Sequence, residues 1–313
     1  MQISTRFGCS SNSPLTKSAI ELLYKWNQKI AYVVTYRSNM KIRKNTQVYI
    51  GLGILGLLGL FLLLGLIYHP YTTTEMDSAA KLAGPTLKHW FGGDKMGRDI
   101  FTRVQQGLRT SLFISILATV IGTVGGTIIG ALTGYYGGFI DDAIMRIIDV
   151  LFAIPSILLA LVFVSLSDSG MVNVILALGI ALIPSFSKMM RTEFKEQRAL
   201  EYVQAAKLMG ASDLRILFKH ILPNVMPTLV NCVFISINNC ILAEAGLSYL
   251  GIGVQPPVAS LGGMISEGQG YLKAAPYYVI FPGAVMVLLL CGLGLIADGN
   301  AQTFVLRRKK SDQ

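Results

Sequence analysis

Apolar residues are gathered into six long blocks, separated by stretches rich in charged and polar residues. A helix needs about 20 mostly apolar residues to cross the hydrocarbon layer of a membrane, and it satisfies its own backbone groups there. The pattern therefore predicts an all-α, polytopic membrane helix bundle. The six predicted transmembrane helices are residues 48–68, 110–134, 143–165, 172–189, 224–245 and 277–296.

Composition agrees with this pattern. Of the 313 residues, 52% are hydrophobic and only 14% are charged. A soluble domain has about a quarter of its residues charged, so this chain lacks the charged surface that such a domain needs. The composition excludes a disordered chain, a fibrous protein and most soluble enzymes.

The formal charge of +10 has two interpretations, a nucleic-acid partner or the anionic face of a membrane. Lys and Arg gather at the ends of the apolar blocks, which favours membrane lipid and no nucleic acid. Because cytoplasmic loops carry the excess of Lys and Arg, the basic segments 1–47, 188–219 and 307–310 place both termini in the cytoplasm. Segment 70–108 is also basic, but its length lets it cross with less regard to charge.

Close helix packing is predicted for the second span, where Gly122, Gly126 and Gly130 recur every fourth residue. Small residues at this spacing let two helices approach closely within a membrane. Segment 246–276 is rich in Gly and contains Pro256 and Pro257. It is compatible with a re-entrant element or with a surface loop.

The side chains that most often bind metals or act as nucleophiles are scattered along the chain. They are Cys9, Cys232, Cys240, Cys291, His69, His89 and His220. None forms a C-x-x-C pair, a zinc spacing or an H-E-x-x-H motif. We therefore expect no catalytic residue and no metal site.

The segment between the fourth and fifth spans is predicted to form two helices joined by a turn. Residues 193–209 are rich in helix formers, and Gly210 stands where a left-handed residue would end that helix. Ser212 can then cap a second helix, with Asp213 at its N-terminal dipole, and Pro223 closes it. The second helix has an apolar stripe at positions i, i+3, i+4 and i+7, formed by Leu214, Leu217, Phe218 and Ile221.

An amphipathic helix of this kind has two interpretations, a connector on the bilayer surface or a knob that enters a groove on a partner. The run Gln204-Ala205-Ala206, then Gly210, then Ile221-Leu222-Pro223 resembles the "EAA–G–I-LP" loop of binding-protein-dependent ABC importer permeases. In that family the loop is a coupling helix that docks onto the ATP-binding subunit. One departure is Gln204, which stands where the family usually has Glu, so a salt bridge there is not expected. The resemblance implies coupling through Gln204, Ala205, Ala206, Gly210, Leu214, Leu217, Phe218, Ile221 and Pro223.

A second resemblance narrows the family to dipeptide, oligopeptide and nickel permeases. Residues 89–112 are similar to its "GTDxxGRDxxSRxxxGxRxSL" motif, and residues 243–257 are similar to the segment after its fifth span, in the second permease subunit type. The match covers about residues 91–298, and Gly93 replaces the usual Thr. The matching residues of the first motif are Asp94, Gly97, Arg98, Asp99, Arg103, Gly107 and Arg109.

These resemblances imply the type I ABC importer permease fold, with its coupling helix in the cytoplasm of a prokaryotic cell. The implied partners are a second permease subunit, giving a heterodimer, ATP-binding subunits and an extracytoplasmic solute-binding protein. The chain contains no Gly-Lys dipeptide and so lacks the phosphate-binding loop G-x-x-x-x-G-K-[ST]. We therefore expect that ATP and Mg²⁺ are used by the partner ATPase, and that this chain binds no cofactor.

The implied organisation has five parts. Residues 1–47 form a cytoplasmic segment, where an apolar pattern favours an interfacial helix, unless the functional chain begins at Met40. Residues 48–69 are the first transmembrane helix, and 70–108 are extracytoplasmic. Residues 109–299 form the permease core with the coupling loop 191–223, and 300–313 are a basic cytoplasmic tail.

Polar residues within the fifth span are candidates for the translocation path. Asn238 and Asn239 are adjacent and differ by about 100° around a helix, so they cannot both face one neighbour. They either hydrogen-bond neighbouring helices or line a path for a polar substrate, together with Glu244 at the outer end.

The leading interpretation is a permease subunit for peptides or related small solutes, with nickel or metal chelates as an alternative cargo. A rival of another class is an ion-coupled secondary transporter, which would use ionisable residues near the midplane and often internal repeats. A membrane scaffold or sensor is the third. The near absence of charge within the spans argues against the second class, and the absence of a sizeable soluble region argues against the third.

Overall fold

The computed structural model describes residues 46–65, 71–166 and 170–311, with the backbone alone from residue 301 onward. The chain divides into two units, Met1–Gln47 and Val48–Gln313, and the description below concerns the second. The interfacial helix expected before residue 47 lies outside the described residues.

Nine helices make up the described structure, and no strand occurs within it. Their bounds are α1 Thr46–Gly65, α2 Ile100–Tyr136, α3 Gly138–Ala153, α4 Ser156–Ser165, α5 Met171–Arg198, α6 Glu201–Leu208, α7 Asp213–Tyr249, α8 Leu261–Gln269 and α9 Tyr277–Ser311. A short 3-10 turn, Ser78–Ala80, interrupts the otherwise irregular segment 71–99. The all-α prediction is confirmed.

Five of these helices, α1, α2, α5, α7 and α9, are long and apolar enough to cross a membrane. The third predicted span is not one helix, because α3 and α4 meet at an angle of 89°. Pro155 is the reason, since the residue before a proline is forced out of the helical region, and Ile154 is extended. The count reaches six spans if this bent pair is taken as one.

The predicted spans agree with the observed helices at their centres but differ from them at their ends. α2 begins at Ile100 rather than near residue 110, because Asp99 caps it there. α5 continues beyond residue 189 to Arg198, and α7 continues to Tyr249. The extensions of α2 and α5 contain charged residues that lie outside the apolar blocks, so hydropathy alone made these two spans too short.

Glycines hold α2 against α5, as their spacing predicted. A Cβ on Gly130 would lie 2.7 Å from the Cβ of Met190 and 2.7 Å from the Ser187 carbonyl oxygen. Gly122 and Gly126 are equally close to the backbone and Cβ atoms of α5. Only residues without a side chain permit this approach, so α2 and α5 pack closely along these glycines.

The segment between α5 and α7 corrects two predictions. The helix expected over 193–209 is broken, because α5 ends at Arg198 and Leu200 is extended before α6 begins. Pro223 does not close the next helix, which runs on through it to Tyr249. Residues Ile216–Ile221 form a π-helical stretch, and its wider turn accommodates a proline that has no N–H to donate.

Segment 246–276, for which a re-entrant element and a surface loop were both open, packs against the bundle. It contains α8, and a Cβ on Gly262 would lie 2.5 Å from the backbone of Ala245. A Cβ on Gly107 of α2 would lie 3.2 Å from the backbone of Ser260 and Leu261. The short helix is therefore packed into the bundle between α2 and α7.

Candidate functional site

The region that the sequence singled out folds into an elbow, formed by residues 201–221. Its bend lies at Gly210, whose φ of +79° favours glycine. The Ala211 N–H donates to the Ala206 carbonyl at 3.1 Å, and the Gly210 N–H donates to the Lys207 carbonyl at 3.0 Å. This pair of bonds is the Schellman motif, so the left-handed residue that the sequence predicted at Gly210 is confirmed.

The structure separates the four residues of the predicted apolar stripe. Leu214 is 66% exposed and Phe218 68% exposed, whereas Leu217 and Ile221 are buried. Successive side chains rotate less in a π turn than in an α-helix, so Leu217 and Ile221 turn away from the other two. They join an interior cluster with Phe186 and other residues of α5 and α6.

Two further apolar side chains extend the exposed surface of the elbow. Leu208 and Met209, at the end of α6, are 90% and 82% exposed. Together with Leu214 and Phe218 they form an apolar face, interspersed with three exposed basic residues, Lys207, Arg215 and Lys219. This apolar face is exposed at the surface of the described chain.

The three residues of the Gln204-Ala205-Ala206 run differ in position. Gln204 and Ala205 are exposed, and Ala206 is buried. The Gln204 Nε2 donates to the carbonyl of Ala199 at 3.2 Å, across the break between α5 and α6. A glutamate could not donate there, so the glutamine that departs from the family pattern has a structural partner within its own chain.

The elbow is fixed to the bundle through Tyr135, near the end of α2. The Tyr135 hydroxyl donates to Oδ1 of Asp213 at 2.6 Å, and Lys207 Nζ lies 4.7 Å from the centre of its ring. Ser212, predicted to cap α7, makes no capping hydrogen bond with the described first turn. Tyr135 therefore contacts both arms of the elbow, and Pro223 lies exposed just beyond it.

The candidate path residues of α7 have different surroundings. Asn239 is exposed, whereas the Oδ1 atoms of Asn231 and Asn238 are shielded from solvent and have no hydrogen-bond partner among the described residues. Asn231 and Asn238 are seven residues apart and share one face of α7. A shielded amide oxygen normally has a donor, and the described residues supply none to these two.

Glu244 is fully buried and does not line an open path in this conformation. Its carboxylate accepts hydrogen bonds from the hydroxyls of Ser111 at 2.8 Å and Ser248 at 2.7 Å. The Ser111 bond joins α7 to α2. The carboxylate thus holds two helices together near α8.

A polar cluster lies where segment 71–99 meets the bundle, formed by Asp94, Arg98, Arg103, Glu267 and Tyr278. The Asp94 carboxylate accepts hydrogen bonds from the Arg98 Nε at 2.6 Å, from the Arg98 backbone N–H at 2.9 Å and from Arg103. Glu267, on α8, accepts from Arg98 at 3.3 Å, Arg103 at 3.2 Å and the Tyr278 hydroxyl at 2.6 Å. The cluster joins segment 71–99, α2, α8 and α9.

The charges of this cluster shift the pKa of the Glu267 carboxyl group. Burial alone would raise the pKa of its carboxyl group, but the Arg103 guanidinium and the Tyr278 hydroxyl outweigh burial and hold that pKa below its usual value. Glu267 is therefore ionised at neutral pH, and it balances the arginines of the cluster. Sequence reasoning missed Glu267 and Tyr278, which lie more than 160 residues from Arg103 along the chain.

Asp99 shows why the motif residues of segment 89–112 stand together. Its Oδ2 accepts from the Thr102 N–H and from the Thr102 hydroxyl, both at 2.8 Å, which starts α2. Its Oδ1 lies 3.0 Å from Nδ1 of His89, which fixes the preceding turn. Gly97 has a φ of +81°, and a Cβ there would collide with the Asp77 carbonyl.

A charged cleft of about 560 Å³ lies between α3 and α5. Arg191 forms two parallel hydrogen bonds with Asp141, both at 2.6 Å, and Lys188 pairs with Asp149 at 2.7 Å. These ion pairs hold α3 to α5, before the chain bends from α3 into α4. Within the described residues, no group of three or more His, Cys, Asp or Glu side chains could hold a metal ion.

Comparison with known proteins points in one direction. A family model described as "Binding-protein-dependent transport system inner membrane component" matches residues 126–310. The dipeptide transport system permease protein DppC of Alkalihalophilus pseudofirmus is 35% identical over 259 residues, which is 83% of this chain and 85% of that relative. The glutathione transport system permease protein GsiD of Escherichia coli O157:H7 is 42% identical over 216 residues, covering 69% of this chain and 71% of the relative.

Solved structures agree on the fold. A chain of the MetNI methionine ABC transporter in an inward-facing conformation has a TM-score of 0.54 with 19% identity, covering 63% of this chain and 93% of that one. A second crystal form of the same transporter has a TM-score of 0.52 with 21% identity. At this identity the likeness concerns the arrangement of helices alone.

Proposed function

Because the chain belongs to the family of binding-protein-dependent transport system inner membrane components, we propose that it imports small peptides and that the elbow is where a separate ATPase drives it. Membership makes it a multi-pass inner-membrane permease subunit of an ABC importer. The cargo, the docking surface and the exact subunit composition are the parts that we propose.

The exposed apolar face of the elbow is the observation that carries the proposal. Leu208, Met209, Leu214 and Phe218 expose large apolar side chains on a well-fixed turn. An apolar helix face of this kind fits into a groove on a partner, and the surrounding Lys and Arg suit an acidic rim. Tyr135 and Gly210 set the angle of the elbow, so force applied there reaches α2 and α7 directly.

The elbow also supports the orientation of the chain. An ATPase works in the cytoplasm, so a docking elbow must face it. α5 leads into the elbow and α7 leads out of it, and both are membrane-length helices. If the elbow docks an ATPase, it lies at their cytoplasmic ends. With the basic segments beside it, we propose that both termini are also cytoplasmic.

A second permease subunit is the proposed neighbour in the membrane. The amide oxygens of Asn231 and Asn238 need donors that the described chain does not supply. In a heterodimer the shared face of α7 can meet the second subunit or the polar cargo between the two. An extracytoplasmic solute-binding protein would deliver that cargo.

Small peptides are the cargo that the relatives support best. The relatives compared above are named for dipeptide and for glutathione transport, and both are short peptides or peptide-like molecules. Polar amides on α7 suit a cargo that carries its own backbone N–H donors.

The docking proposal predicts the effect of charge on the elbow. Leu214→Glu and Phe218→Glu place a carboxylate on the apolar face while leaving the buried Leu217 and Ile221 untouched. We expect each variant to reduce the amount of ATPase that copurifies with the permease about tenfold or more, because a charge buried at an apolar interface costs several kcal/mol.

Leu272→Glu is the matched control, since Leu272 is also half-exposed but lies outside the elbow. It should leave copurification unchanged. If both elbow variants retain a stoichiometric ATPase at normal membrane abundance, the elbow is not the docking surface.

A further inference from the structure

Arg109 is an exposed arginine on an apolar membrane helix. It stands directly before the apolar block of α2 that is predicted to begin at residue 110, and its side chain is exposed. Among the described residues it has neither a hydrogen bond nor an ion pair. An arginine at the end of an apolar block lies at the level of the lipid phosphates, so its guanidinium is available to an anionic group there.

Two cavities meet at Arg109. One, of about 370 Å³, has side chains with hydroxyl or amide groups among its mainly apolar lining, including Tyr71, Thr72, Thr73 and Gln106. The other, of about 750 Å³, is a groove along α1, and apart from Arg109 the described residues that line it are Gly and Leu. Leu62 and Arg109 belong to both, so the two cavities share a cationic junction.

The groove exists because α1 lacks side chains there. A Cβ on Gly56 or Gly59 would meet no atom within 4 Å among the described residues. Leu60 and Leu63 beside them are 59% and 55% exposed. The groove is therefore open at the surface of the described chain, where an apolar group from outside can enter it.

We propose that the two cavities form one binding site for a membrane phospholipid. Its phosphate would pair with Arg109, since a guanidinium offers two parallel hydrogen bonds to phosphate oxygens. The headgroup would occupy the first cavity, and an acyl chain would lie along Gly56 and Gly59. A phospholipid has its polar headgroup, its phosphate and its acyl chain in the same order as the first cavity, Arg109 and the groove.

Other occupants fit less of the site. A cargo carboxylate would satisfy Arg109 but would leave the apolar groove on α1 without purpose. A helix of the second permease subunit would cover the groove but has no need of the adjoining cavity with its hydroxyl and amide groups. The inference rests on the membrane location of α1 and α2 and not on the cargo.

The test measures lipid retained by the purified transporter, with its partner subunits, in native mass spectrometry. The probe is palmitoyl-oleoyl-phosphatidylglycerol, and a diacylglycerol with the same chains but no phosphate is the second probe. We expect Arg109→Gln to weaken phosphatidylglycerol binding about tenfold or more, since a charge-assisted hydrogen bond is lost. Arg109→Lys should retain part of it, and the diacylglycerol should bind no better to the unaltered protein than to Arg109→Gln.

Gly59→Leu tests the apolar half of the site without touching Arg109. The added side chain should fill the groove and lower phosphatidylglycerol retention at least severalfold. The matched controls are Gly53→Leu, also in open space on α1 but outside the groove, and Arg146→Gln, an exposed arginine of α3. Both controls should bind lipid normally.

Three results would overturn the proposal. One is unchanged retention in both Arg109→Gln and Gly59→Leu. Another is loss of the second permease subunit from Gly59→Leu with retention unchanged, which assigns the groove to that subunit. The third is competition by inorganic phosphate alone as strong as that by phosphatidylglycerol, which reduces the site to a free anion site.

Discussion

At the scale of single residues, the motif in segment 89–112 is a set of contacts that start α2 and close the turn before it. Asp99 caps the helix, Gly97 permits the turn, and Asp94 binds two arginines. The resemblance to a family motif identified these residues. It could not identify Glu267, because Glu267 is too far from Arg103 along the chain for one local motif to contain both.

Glu267 predicts a pH dependence of stability. Its pKa is lowered in the folded protein, so its contribution is complete above the ordinary glutamate pKa of about 4.3 and is lost as the pH falls through the folded-state value. We expect Glu267→Gln to lower the free energy of unfolding by about 1–3 kcal/mol at neutral pH and to flatten its decline in acid.

Thermal unfolding of the purified transporter across a pH series measures both effects. Glu201→Gln, which changes an exposed glutamate of α6, is the control and should match the unaltered protein. An acid decline as steep in Glu267→Gln as in the unaltered protein would contradict this role for Glu267.

At the scale of elements, hydropathy predicted where apolar helices lie but not where they bend. Pro155 breaks the third span, yet Pro223 and Pro227 lie within α7 without ending it. The difference lies in the neighbouring turns, since a π-helical stretch precedes Pro223. Such a stretch depends on packing against α5 and α6, which a local pattern does not contain.

The glycines between α2 and α5 predict a graded response to added methyl groups. Gly130→Ala would press on the backbone of α5 at 2.7–2.8 Å, whereas Gly125→Ala would meet only the end of the Ile183 side chain at 3.2 Å. We expect Gly130→Ala to lower the free energy of unfolding by about 1–3 kcal/mol and Gly125→Ala to have a smaller effect.

The measurement is thermal unfolding of the two alanine variants side by side in the same detergent. Equal stability of the two would mean that the helices can separate at no cost, contrary to the close contact at Gly130.

At the scale of the whole molecule, the sequence predicted a membrane helix bundle that serves as the permease subunit of an ABC importer. Family membership agrees with it. The all-α class followed from composition and block length, which are properties of the entire chain. The joints between helices did not follow, because Glu244 with Ser111 and Arg191 with Asp141 join residues far apart in sequence.

Reconstitution in vesicles tests the proposal that the ATPase is separate. We expect uptake of a labelled dipeptide only when both permease subunits, the ATP-binding subunits, the binding protein and ATP are present. Glutathione should compete with the dipeptide, and Ni²⁺ should not.

An imposed proton or sodium gradient without ATPase is the control that separates transporter classes. Uptake driven by such a gradient alone would identify a secondary transporter and contradict the proposed mechanism.

The unbroken course of α7 has a consequence for how this protein can change over time. One helix carries both the exposed Leu214 and the buried Glu244, so adding or deleting a single residue between them would rotate one end against the other by about 100°. Substitutions in that stretch alter local contacts, whereas insertions and deletions would misalign the elbow and the Ser111 joint together. The number of residues in this stretch should therefore vary less during evolution than their identities.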